Sequence, residues 1–255
     1  MVNDPNVDFK VVAEEISKDQ SMTANILKLC NSAFFSKGKE ITSIDRAIVT
    51  LGIKEVKDIV MVIAAKPIFD KAIIGYDLAK GALWEQGLLV GTLSKKIANL
   101  KKRKDISDVV FTGGILHNIG KIVLALFVQS THKDILQTVA EKNITFHEAE
   151  KEVMGYSHVE VGEKVVENWN FPQVLKSIVR YYQDPASAPK EYAVEVSIVH
   201  IASMLSLMAG VGVGVDGLNY EISESAVTTL GLNNNALEAI FEKIPEIMKL
   251  YKDLK

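Results

Sequence analysis

The sequence is poor in the residues that mark several large protein classes. Its 255 residues include one cysteine, Cys30. That count excludes an intramolecular disulfide framework and a cysteine-rich zinc site, and it fits a reducing, cytoplasmic setting. Neither sign of charge dominates, since 29 Lys and Arg against 32 Asp and Glu leave a net −3. A protein built mainly to coat nucleic acid needs clustered cations against phosphate, so that class is disfavoured. The opening Met1-Val2-Asn3-Asp4-Pro5 has neither the basic region nor the apolar run of a signal peptide. Strand signals are scarce too. No Asn-Gly or Asp-Gly pair joins two alternating segments, and Asp216-Gly217 follows a glycine-rich stretch that makes poor strand. Repeats, low-complexity tracts and long linkers are absent.

One uncharged run, Val196 to Val215, is long enough to cross a bilayer. Its flanks are Glu195 and Asp216, with no adjacent Lys, Arg or Trp, and it carries His200, Ser197, Ser203 and Ser206. A buried core helix is the expectation, not a span.

What the chain does have is helical periodicity and 48 % hydrophobic residues, enough for a sizeable core. Ile44, Ala47, Ile48 and Leu51 form an i, i+3, i+4, i+7 stripe, with Thr42-Ser43 to cap it and Gly52 to stop it. Val56, Ile59, Val60 and Ile63 make the next stripe, and Leu78, Trp84, Leu88 and Ile97 lie on a longer one ending in the charged turn Lys101 to Asp105. Thr145 to Glu148 and Ser157 to Glu160 both have capping-box spacing, and Gly155 can close the helix between them. Pro172 suits the start of a helix bearing Val174, Leu175 and Ile178, and Asp184 to Pro189 reads as a loop. Ile122 to Val128 reads equally as helix or strand. The fold class expected is all-α.

Several stretches, in order, resemble one family: Asn25 to Ala33, Ile44 to Gly52, Leu116-His117-Asn118-Ile119-Gly120-Lys121, Tyr156 to Gly162, Asn168 to Pro172 and Ser197 to Ala202. Together they are similar to HDOD domains, the HD-related output domains of bacterial signal-transduction proteins, over about residues 4 to 210. The resemblance implies a multi-helical, HD-domain-like bundle with an N-terminal helical lobe. The sections expected are 1–74 for that lobe, 75–215 for the HD-like lobe and 216–255 for C-terminal helices, all within a single domain. It also implies a regulatory role without established catalysis, no cofactor, and a signalling protein as partner, with a small anionic ligand as an additional option.

HD hydrolases hold metals through His and Asp, and the metals activate water and neutralise phosphate oxygens. Here His117 is followed by Asn118, whose neutral amide is a weaker ligand than a bridging carboxylate. By looser alignment Gln86, Tyr181-Tyr182 and Ser203 stand where other ligands would be. No metal and no catalytic residue is therefore expected. The candidate ligand-binding cleft comprises His117, Asn118, Lys121 and His158. Each also has a plainer reading, the histidines as hydrogen-bonded structural groups and Lys121 as a side chain reaching solvent. The alternative function is a residual metal-dependent phosphohydrolase acting on nucleotides or cyclic dinucleotides. Of the remaining histidines, His200 is expected in the core and His132 and His147 on the surface. Met204 and Met208 read as core filler, and Gly210, Gly212 and Gly214 as a flexible turn that lacks the Walker context. Lys95-Lys96 and Lys101 to Lys104 form the one basic cluster.

Overall fold

The computed structural model describes residues 20–32, 40–217 and 219–250. Among these residues the regular elements are helices, and one isolated bridge joins Ile73 to Leu78. The ambiguous run Ile122 to Val128 is helical. The part of the family resemblance before Gln20, and Ala33 at the end of its first motif, lie outside the described residues.

The chain divides into two compact units, Met1–Pro67 with Pro245–Lys255, and Ile68–Ile244. The division falls at a proline inside a helix, where the ring removes a backbone donor. In the first unit, α1 (Gln20–Cys30) ends at Asn31. The Asn31 side chain donates to Leu27 O at 2.9 Å and Ile41 O at 2.7 Å, and accepts from the Ile41 amide at 2.8 Å. It thus satisfies a terminal helical carbonyl and pins the returning chain. In α2 (Ile44–Leu51) the cap works as its sequence dictates: the Ser43 hydroxyl accepts from the Arg46 amide at 3.1 Å. Gly52 follows at φ 93°, a conformation other residues resist. Helix α3 (Ile53–Phe69) buries Val56, Ile59 and Val62.

The second unit holds α4 (Ala82–Leu100), α5 (Ser107–Leu116), α6 (Ile119–Lys142), α7 (Phe146–Met154), α8 (His158–Asn168), α9 (Gln173–Tyr181), α10 (Ala193–Met208), α11 (Glu224–Leu230) and α12 (Asn234–Phe241). Both capping boxes form, at Thr145 for α7 and Ser157 for α8. They fix the phase of each helix and hence which residues turn inward. Two close helix contacts then shape the interior. Gly91 of α4 meets Gly114 of α5 so tightly that a Cβ on Gly114 would lie 2.6 Å from the Gly91 Cα. Gly120 of α6 meets the start of α8, where a Cβ would lie 1.8 Å from the His158 carbonyl oxygen. The first contact brings Gln86 against the end of α5, and the second carries His158 to the first turn of α6.

By length and composition two helical stretches, Ser107–Lys142 and Lys190–Met208, are apolar enough to cross a membrane. In each, 67 % of the most apolar window is buried within the protein. The expected core helix is α10, whose Val196, Val199, His200 and Ser203 are all buried.

Candidate functional site

The two helices α5 and α6 are nearly continuous, and His117 and Asn118 form the joint between them. Both side chains are buried, at 1 % and 2 % exposure. The His117 Nδ1–H donates to the Gly114 carbonyl at 2.7 Å, which leaves Nε2 as an acceptor. Asn118 Nδ2 lies 2.9 Å from that nitrogen and 2.8 Å from Gln86 Oε1, and donates to both. Asn118 Oδ1 accepts the Tyr182 hydroxyl proton at 2.7 Å. The Tyr182 oxygen in turn accepts from His158 Nε2 at 2.8 Å and from Gln183 Nε2 at 3.2 Å.

At its far end the chain of bonds reaches a carboxylate. His158 Nδ1 sits 2.7 Å from Glu150 Oε2, and both side chains are fully buried. The same carboxylate accepts from the His158 amide at 2.9 Å and from the Tyr76 hydroxyl at 2.5 Å. With the Tyr182 proton committed to Asn118, the two ring nitrogens of His158 face Glu150 and the Tyr182 oxygen as donors. Burial by itself would raise the Glu150 pKa. The His158 charge and the three hydrogen bonds outweigh it and hold the carboxyl below its ordinary value. Burial pushes His117 the other way, down to about 3, so it stays neutral. His158 thus donates to Glu150 on one side, and on the other the donors run in one direction, His158–Tyr182–Asn118–His117–Gly114, with Gln86 as a branch.

The structure brings together all four residues of the predicted cleft. Lys121 departs from its solvent-reaching reading. It is 2 % exposed, with Nζ 5.5 Å above the Tyr76 ring. Its position follows from α6, where residues 121, 124, 128, 135 and 139 make the buried stripe. The looser assignments also converge. Gln86 and Tyr182 bond Asn118 directly, and Ser203 Oγ approaches His117 Nε2 at 3.5 Å. Tyr181 lies on the outer side of the same turn, under the Arg180 guanidinium.

Two histidines expected on the surface are not there. The His147 ring stacks on Tyr220 with centroids 6.3 Å apart, and burial pushes its pKa down to about 4. His132 is half-buried with Nδ1 3.2 Å from the Gly75 carbonyl. Nor is Met208 core filler, because it is 65 % exposed, whereas Met204 is buried. His200 is in the core as expected. It donates from Nδ1 to the Tyr182 carbonyl at 2.7 Å and accepts the Ser223 amide at 2.9 Å. The glycine-rich turn has a definite seat, since a Cβ on Gly212 would lie 2.5 Å from the Gln86 side chain. That segment packs over the branch of the network.

Glu150 and Tyr76 escape sequence reasoning. Glu150 stands among Glu148 and Glu152 and looks solvent-facing. The signal for it was nevertheless present. The Thr145 cap sets Phe146, Ala149 and Glu150 on one face, at i, i+3 and i+4, and the first two are apolar.

These donors do not fit a two-metal centre. At the ligand positions stand amides, a phenol and a hydroxyl, and the lone pairs of Gln86, Asn118 and His117 accept hydrogens from their neighbours. Among the described residues no three His, Cys, Asp or Glu side chains gather as ligands for one ion.

Comparison with known proteins places this geometry. Residues 1–185 match the model of the HDOD domain. An uncharacterized protein of Treponema pallidum (strain Nichols) is 24 % identical over 203 residues, which is 80 % of this chain and 39 % of that relative. The chain thus spans well under half the length of the curated relative it matches. A solved HDOD domain protein of unknown function from Geobacter sulfurreducens is 25 % identical, with a TM-score of 0.80, covering 99 % of this chain and 88 % of the other. A Shewanella amazonensis SB2B protein with a provisional phosphohydrolase name has the same fold, at 24 % identity and a TM-score of 0.75, covering 100 % and 90 %.

Proposed function

The chain belongs to the HDOD domain family, and from that premise we propose that it is a non-catalytic signal-transduction output module that acts by binding a protein partner. The observation that carries this reading is the internal bonding of the buried network. The side chains that stand where ligands would be already bond one another: Asn118 to Gln86, His117 and Tyr182, and Tyr182 to His158. An ion entering there would have to break these bonds and desolvate against a neutral amide where HD chemistry uses a carboxylate. The same residues do a different job well. A buried polar network bonded from helix to helix fixes one arrangement of the helices that meet in it and so presents a defined surface to a partner. A small anion would have to reach Lys121 through this seal, so contact with a protein is the primary mode. One cysteine, buried and with its thiol pushed up to about 11 by burial, suits a protein of the cytoplasm.

The competing reading is a metal-dependent phosphohydrolase, as the name of the Shewanella relative suggests for that protein. Nitrophenyl phosphates, nucleotides and cyclic dinucleotides, each assayed with Mn²⁺, Mg²⁺ and Fe²⁺, separate the two. We expect no metal-dependent turnover. Turnover that requires metal and disappears in His117→Ala would replace the binding-module reading with the enzymatic one.

A further inference from the structure

A cavity of ≈ 430 Å³, lined by none of the His117–His158 network residues, opens between α10 and α12. Leu205 and Met208 of α10, Ile222, and Leu237 and Phe241 of α12 form its apolar lining. Met208 and Phe241 are 65 % and 36 % exposed. Beside this lining run Glu238 and Glu242, both exposed. Neither is paired with a cation among the described residues. The spacing is the informative part. Leu237 and Phe241 are one i, i+4 pair, and Glu238 and Glu242 are a second, displaced by one residue. A helix presents neighbours at that interval as rows one turn apart. The wall is therefore an apolar row with an acidic row alongside it.

We propose that this groove docks an amphipathic helix of a partner protein, with apolar residues one turn apart entering the cavity and Lys or Arg residues at the same interval facing Glu238 and Glu242. Charge complementarity selects the occupant. An anionic or purely apolar ligand would leave two carboxylates opposed or desolvated without compensation. The lining suits a helix in a groove, because Leu and Phe give anchor pockets and Met208 is an unbranched side chain that adapts to its neighbour. The groove lies wholly within Ile68–Ile244 and shares no residue with the His117–His158 network, so the inference stands whether or not that network is catalytic.

The probe is a fluorescein-labelled model helix of Leu and Lys in amphipathic register. Its counterpart has the same Leu positions with Glu in place of Lys, and binding to the full chain is read by fluorescence anisotropy. The Leu/Lys helix should bind and the Leu/Glu helix should not. Glu238→Lys with Glu242→Lys should weaken the Leu/Lys helix by roughly tenfold or more, as two rim ion pairs become repulsions, and should admit the Leu/Glu helix. A control with the same change in net charge, Asp134→Lys with Glu141→Lys on exposed positions of α6, should leave affinity within about twofold, because those positions lie outside the groove. Met208→Glu should weaken both the wild-type and the charge-swapped interactions. Far-ultraviolet circular dichroism confirms that each variant is folded. Equal binding of the two helices, or equal loss in the control variant, would show general electrostatic attraction and overturn the proposal. So would a wild-type chain that binds neither helix, or a self-associated chain that Met208→Glu makes monomeric, which would seat a second copy in the groove.

Discussion

Asn118 is the residue on which the reading of the site turns, and its neighbours dictate what a carboxylate would do in its place. The amide uses both faces: Nδ2 donates to His117 and Gln86, and Oδ1 accepts from Tyr182. Asp has no donor, so Asn118→Asp would set a carboxylate oxygen against Gln86 Oε1 and the His117 lone pair. Two buried acceptors then lose their proton, at about 1–3 kcal/mol each. Thermal melts should place the variant well below wild type. Mn²⁺ should recover only part of the loss, because a single restored carboxylate supplies neither the ligand count nor the geometry of an HD centre. A variant that Mn²⁺ lifts above the wild-type melting point would mean that the remaining residues still form a metal site. Legibility at this scale was uneven, for a physical reason. Asn118 stands out in the sequence because the chemistry of an HD pair demands an acid there, and Gln86 and Ser203 are visible by position. Glu150, Tyr76 and the burial of Lys121 are not, because a charged or phenolic side chain in a helix defaults to solvent. Only the phase of α7 and α6, set by caps and neighbouring apolar residues, reveals that Glu150 and Lys121 turn inward, and Tyr76, at the end of the 3-10 turn Ile74–Tyr76, carries no such signal.

The elements are held in place by helices that approach more closely than side chains normally allow. Helix starts and stops were legible where they are capped, since Ser43, Thr145 and Ser157 cap where their spacing says and Gly52 and Gly155 terminate, whereas the run Ile122 to Val128 was ambiguous until seen as helix. The crossings were not, because a glycine inside a helix reads as a weak point until the opposing backbone is known. Gly120 and Gly155 make the contrast testable. At Gly120 an added methyl meets the His158 carbonyl, which belongs to a backbone that cannot turn aside. Relief requires α6 and α8 to separate, and that displaces His158 from Glu150 and Tyr182. At Gly155 there is open space and φ is +84°, so alanine meets only its own backbone strain. Gly155→Ala should cost about 1–2 kcal/mol. Gly120→Ala should cost roughly 3 kcal/mol or more, the upper end of overpacking. Urea titrations of the two variants check the order. Equal losses would mean that α6 and α8 slide apart freely and that the crossing does not position the network.

The whole molecule inherits a pH dependence from its interior histidines. Burial is the first cause of the low pKa of both His117, about 3, and His147, about 4, and the neighbouring His158 charge adds to it. Burial shifts His200 in the same direction. Once the chain unfolds, each imidazole returns to a pKa of about 6.5. Below that value the unfolded chain binds protons that the folded chain refuses, so the stability these residues contribute is complete above about pH 6.5 and is lost progressively below it, until the folded chain also takes up the proton near pH 4 for His147 and 3 for His117. Each histidine held neutral in this way steepens the loss by up to about 1.4 kcal/mol per pH unit. Between pH 6.5 and 5 two of them remove roughly 3 kcal/mol, a large part of the 5–15 kcal/mol typical of a domain. The carboxylate of Glu150 adds its own loss only at lower pH, where it must take up a proton and surrender the charge its partners bond to. Urea midpoints should therefore be level from about pH 8 to 7 and then fall steadily towards pH 5, well before carboxylates titrate. In His117→Gln the absolute stability is lower because the Asn118 amide must find a new acceptor, yet its decline with acid should be shallower by close to one proton. An unchanged slope in that variant would show that His117 takes up its proton in the folded state, and would remove the neutral acceptor on which the direction of the whole buried network depends.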